Sequence, residues 1–169
     1  MRDLRLAALL VLGASVIGAT AFAAGTAGGK IADPAQARSD YMENCSGCHG
    51  LNGNSAPAEL PVLRDRVGYF LCTPDARAYL IRLPNIAHSR ISDNGQLADL
   101  LNYVVFALGG TSAPAAAPPF TAEEVTRERP RALNDVSLKA LRATLVARVI
   151  RACHAPASLK LLYPDASAR

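Results

Sequence analysis

Two thiols three positions apart, followed at once by an imidazole, stand at Cys45-Ser46-Gly47-Cys48-His49. On one helical turn such thiols can reach the two vinyl groups of a porphyrin and form thioethers. The adjacent imidazole then lies over the iron as its proximal ligand. The same residue types also occur in thioredoxin-like redox pairs, in half-sites for zinc and in structural disulfides. A redox pair normally sits in a strand–helix–strand unit, and no stretch of this chain alternates strongly enough to predict a strand. A zinc site needs a second ligand pair at similar spacing, which the chain lacks. One covalent haem c on Cys45 and Cys48, with His49 on the iron, is therefore the reading that fits the spacing.

The N-terminus carries an address. Arg2 and Arg5 precede an uncharged apolar run over 6–23, and Ala21-Phe22-Ala23 is a small-x-small cleavage site. This is the layout of a secretory leader, so residues 1–23 are expected to be removed and the rest to work in the periplasm. An uncleaved anchor is the alternative, and only in that case is a membrane a partner. Of 169 residues, 146 remain after residue 23, enough for one compact domain and an appendage. Hydrophobic residues at 50% exclude disorder of the whole chain, and a formal charge of +4 is too small to suggest a nucleic-acid partner. Aromatics make up only 5%, with no Trp, so aliphatic side chains or a porphyrin must fill the interior.

Helix signals run through the mature chain. Asp33-Pro34 opens a helix leading to the first cysteines, and 50–61 reads as loop. Thr73-Pro74-Asp75 opens a second helix, stopped by Pro84. Asp93 and Gln96 form a capping box for a third, whose Leu97, Leu100, Leu101, Val104, Val105 and Leu108 follow the helical period until Gly109-Gly110. The expected organisation is a haem domain over 24–110, an Ala/Pro-rich linker over 111–119 and a C-terminal helical extension over 120–169. Within the extension, Thr121 and Glu124 cap a short helix broken by Pro130. A longer one from about 134 to 152 places Leu138, Leu141, Leu145 and Val149 on one side and Lys139, Arg142, Arg148 and Arg151 as a basic surface. The predicted fold class is all-α.

Residues 33–110 resemble the monohaem class I c-type cytochromes. Tyr41-Met42-Glu43-Asn44 leads into the cysteine motif, and Leu100-Leu101-Asn102-Tyr103-Val104 lies on the last helix. The resemblance implies that the first and last helices pack together around the haem. It also implies that Pro61, 12 residues after His49, lends its carbonyl to the proximal imidazole. Most relatives supply a sixth ligand from a Met shortly before the last helix. This chain has only Met1 and Met42, and Leu83-Pro84 looks like the family's Met-Pro with the sulfur ligand replaced. His88, in the loop expected to cross the distal face, is the nearest candidate for that position, and His154 is a remoter one.

Cys72 and Cys153 remain after haem attachment, an even remainder in an oxidising compartment, and are expected to pair, with two free buried thiols as the alternative. The function implied is transfer of single electrons between redox proteins: an exported dehydrogenase or membrane complex as donor, an oxidase or another cytochrome as acceptor. A haem enzyme or small-ligand sensor with an open distal iron is the alternative, as is a cytochrome subunit dedicated to one dehydrogenase.

Overall fold

The computed structural model describes residues 29–54, 60–134 and 136–162. The expected leader and part of the loop before Pro61 lie outside the described residues. All regular structure among the described residues is helical, as predicted, and no helix there is long and apolar enough to cross a membrane.

Local hydrogen bonds set most helix starts. The Asp33 carboxylate accepts from Gln36 N at 2.9 Å to open α1 (Pro34–Asn44), with Pro34 in the first turn where no N–H is needed. A single turn, α2 (Ser46–His49), follows directly. After a 3-10 segment (Val67–Cys72), Thr73 caps α3 (Pro74–Arg82) through Ala76 N at 3.3 Å. Pro84 both ends α3, by forcing Leu83 into an extended conformation, and begins the one-turn α4 (Pro84–Ala87). Asp93 caps α5 (Asn94–Asn102) through Gln96 N at 2.8 Å, and the helix continues as a π-helical stretch over Tyr103–Leu108.

α1 packs on α5, with the Tyr41 and Tyr103 rings 5.6 Å apart and the buried Asp40 carboxylate accepting from Gln96 Nε2 at 2.9 Å. The 3-10 segment approaches the chain beyond α5 so closely that a Cβ on Gly68 would collide with the Ala113 backbone.

The C-terminal half shares this core. Residues 111–119, expected as linker, lie against the body: Ala117 is buried, and Lys30 Nζ donates to the Ala115 and Ala117 carbonyls, each at 2.8 Å. The buried Asn102 amide makes paired bonds with Phe120, accepting from its N–H at 2.7 Å and donating to its carbonyl at 3.1 Å. Thr121 caps α6 (Ala122–Glu128), which packs on α5 and α3. Arg77 of α3 grips Glu124 with two bonds of 2.6 Å and stacks 4.0 Å from the Phe120 ring. Val125, Leu145, Val146, Val149 and Leu159 join Phe70, Tyr79, Leu97 and Val105 in one apolar cluster.

Two expectations for the last helix need correction. α7 (Leu138–Cys153) begins after 134, because Leu133 N is drawn to the Arg82 carbonyl at 2.9 Å and the Ser137 hydroxyl supplies the cap. Arg142, expected on a wet basic surface, is buried. Its guanidinium faces the Phe70 ring at 5.8 Å and reaches the Leu159 carbonyl at 3.4 Å. Arg148 is exposed but paired with Asp75 at 2.6 Å.

Cys72 and Cys153 form a disulfide across 81 residues, with Cα atoms 6.1 Å apart, and tie the end of α7 to the 3-10 segment. Reducing it, or replacing both cysteines with Ala, is expected to lower the unfolding free energy by about 4 kcal/mol, the closure term for so long a loop. Urea unfolding with and without reductant measures this.

A second tie is ionic. Glu128 is buried, and Arg82, Arg127 and Arg131 converge on it. Burial raises its pKa, but the bonds from Arg82 and Arg127 and the charges of Arg82 and Arg131 outweigh this and hold the carboxyl below its ordinary range. A carboxyl depressed in the folded state contributes stability above its unfolded pKa of about 4.3 and loses it as pH falls through the folded value. Glu128→Gln should therefore cost about 2 kcal/mol at pH 7 and flatten the loss of stability on acidification. Unfolding curves at neutral and acid pH test both.

Candidate functional site

The cysteine motif forms its own short turn at the end of α1. Cys45 N donates to the Tyr41 carbonyl at 2.9 Å, closing the longer helix, and His49 N donates to the Cys45 carbonyl at 3.0 Å, closing the next turn. Gly50 ends it with φ of 73°, a left-handed conformation that favours glycine. The buried Tyr41 hydroxyl then donates to the Gly50 carbonyl at 2.7 Å, fixing the end of the turn to α1. Burial first, and then the neighbouring Cys45 and Tyr103, push the Tyr41 phenol up to about 12.

Cys45 is half-buried, Cys48 is exposed, and the two are not bonded to each other. Burial, followed by the influence of Cys48 and Asp40, raises the Cys45 thiol to about 11, so it is protonated at neutral pH. Among the described residues there is no group of three or more His, Cys, Asp and Glu side chains placed to hold a metal ion.

His49 Nδ1 lies 3.2 Å from the Pro61 carbonyl. A carbonyl only accepts, so Nδ1 carries the ring proton and Nε2 keeps its lone pair. Burial lowers the His49 pKa, opposed by the bond to Pro61, and favours the neutral imidazole that a metal ligand must be. Two unbridged thiols on one turn and an imidazole with a free Nε2 fit covalent attachment and axial ligation of a haem. The structure thus brings together Cys45, Cys48, His49 and Pro61.

The distal candidates are placed differently. Leu83 is half-buried against the apolar core at the end of α3 and has no donor atom. His88 is exposed at the end of α4, and its Nε2 meets Asn134 Oδ1 at 3.1 Å. His154 is exposed at the left-handed end of α7, and Met42 is 44% exposed on α1. A polar groove of about 730 Å³ runs between the last turns of α1 (Asp40, Glu43, Asn44) and the loop carrying Pro84, His88 and Arg90.

Sequence reasoning missed Arg129 and Asn134. Arg129 Nε donates to the Ala87 carbonyl at 2.8 Å, and Nη2 to the Ser89 carbonyl at 2.9 Å, one bond on each side of His88. No local pattern signals such contacts, because the partners are about 40 residues apart in the chain.

Cytochrome c-552 of Thermus thermophilus is 30% identical to this chain over 118 residues, covering 60% of this chain and 90% of the relative. A second cytochrome c-552 of the same species is also 30% identical over 118 residues, with 80% of its length covered. No family model and no solved structure matches the chain.

Tyr41→Phe removes only the hydroxyl that clamps Gly50. It should cost about 1 kcal/mol of stability, measured by thermal unfolding, while the far-ultraviolet helical spectrum is retained.

Proposed function

The chain belongs to the c-type cytochromes and carries electrons through one covalent haem c; from that premise we propose that it is a periplasmic single-electron carrier. In this reading Cys45 and Cys48 hold the porphyrin and His49 binds the iron. The haem supplies the one-electron redox chemistry when bound. The protein's own part is to anchor and orient. The single turn 45–49 sets the spacing of the two sulfur atoms, and the Pro61 carbonyl fixes the His49 ring and raises its donor strength. The observation that carries the assignment is the His49–Pro61 bond at 3.2 Å beside two unbridged thiols.

Export is supported by the basic and apolar leader pattern of residues 1–23 and by the Cys72–Cys153 disulfide, a bond favoured outside the cytoplasm. The partners are redox proteins, with an exported dehydrogenase or membrane complex as donor and an oxidase or another cytochrome as acceptor.

A second reading, an iron open to small ligands, is favoured by one observation: His88 Nε2 is engaged by Asn134 and Leu83 has no donor. A ferric spectrum that shifts on adding cyanide separates this reading from a fully coordinated carrier.

The exported polypeptide, made with maturation machinery present, should be red and heavier than its mature chain by one haem that survives acid–acetone extraction. Cys48→Ala should lose one thioether and shift the pyridine haemochrome band. A colourless product of bare polypeptide mass overturns the assignment.

A further inference from the structure

We propose that residues 129–134 act as a strap that holds the loop between α3 and α5 and withholds His88 from the haem iron, so that the C-terminal segment governs the sixth coordination position. The inference rests on the haem reading above.

The loop's own backbone bonds close a single turn, including His88 N to the Pro84 carbonyl at 2.9 Å and Ser89 N to the Ile86 carbonyl at 3.1 Å. Other bonds to it come from the strap. The Arg129 guanidinium donates to the Ala87 carbonyl at 2.8 Å, the Ser89 carbonyl at 2.9 Å and Asn94 Oδ1 at 2.9 Å. Its rigid fork thus spans both neighbours of His88 and the first residue of α5. Leu133 N adds a bond to the Arg82 carbonyl at 2.9 Å, and Asn134 Oδ1 meets the His88 ring at 3.1 Å. The base of the strap is itself fixed, because Glu128, one residue before it, is held by Arg82 of α3.

The bond to Asn134 has a chemical consequence. An amide oxygen only accepts, so His88 Nε2 carries the ring proton and offers no lone pair to a metal. Binding Asn134 and binding iron through that nitrogen exclude each other. By linkage, whatever weakens the strap raises the fraction of molecules in which His88 is free to bind iron.

The test uses the full-length ferric holoprotein and reads spin state by optical and electron paramagnetic resonance spectra. His88→Ala should leave the wild-type spectrum unchanged, because the strapped ring is not a ligand. Asn134→Ala should raise the ratio of low-spin to high-spin iron about fivefold, the equivalent of one ordinary hydrogen bond. Arg129→Ala should raise it further, and adding His88→Ala to either variant should restore the wild-type spectrum. The strap is overturned if His88→Ala itself converts low-spin wild-type iron to high spin. It is overturned equally if Asn134→Ala has the wild-type spectrum. Asn134 is exposed, so its variant remains informative if Arg129→Ala fails to fold. A red holoprotein with the overturning spectra removes the strap alone, whereas a colourless product removes the haem assignment beneath it.

Discussion

The bond from His49 Nδ1 to the Pro61 carbonyl fixes which nitrogen of the ring holds its proton, and so which nitrogen is left to bind a metal. With Nδ1 protonated, Nε2 is the only donor the ring can present. The surroundings reinforce the arrangement: burial lowers the His49 pKa and favours the neutral ring, and Tyr41 pins the end of the same turn to α1 through Gly50. Tyr41 also packs against Tyr103 beyond α5. The contact between the first and last helices of the haem region therefore reaches the ligand turn through one phenol.

Features decided within four residues were legible in the sequence. The caps at Asp33, Thr73, Asp93 and Thr121 are contacts from residue i to the N–H of i+3, so the residue types alone carry them. The cysteine motif belongs to the same class, as one turn with its meaning in its spacing. Long-range features were not legible. Arg142 lies four residues after Leu138 and three before Leu145, on the apolar side by period, and only its polarity suggests solvent; the Phe70 ring and the Leu159 carbonyl receive its guanidinium. A planar cation on a long apolar stem satisfies burial and polarity together, which a two-letter hydrophobic pattern cannot express. The start of α7 is an exception among the local features: its cap, Ala140 N donating to the Ser137 hydroxyl, spans only three residues. The bond from Leu133 N to the Arg82 carbonyl, which keeps the preceding residues out of the helix, lies outside any local window.

The C-terminal half belongs to the same packed body as the chain before it. Arg77 with Glu124, Asn102 with Phe120 and Cys72 with Cys153 join it to the earlier chain by three chemically different ties. The aliphatic side chains of α6 and α7 complete one interior with those of α3 and α5. A chain this poor in aromatics gains buried apolar area from its own C-terminal helices.

The same half bears on the distal side. In a class I cytochrome with a sulfur donor in this loop, the bond to iron also fastens the loop. By the resemblance, Leu83 stands at that donor's place, and a leucine fastens nothing to a metal. Here the loop is fastened from the opposite direction, by a guanidinium that binds the carbonyls on either side of His88. A loop with no other long-range ties would be free to move and expose its backbone, and Arg129 orders it by satisfying two of its carbonyls. In the strap we propose, loop order is set by these bonds within the protein and does not require a bond from the loop to iron.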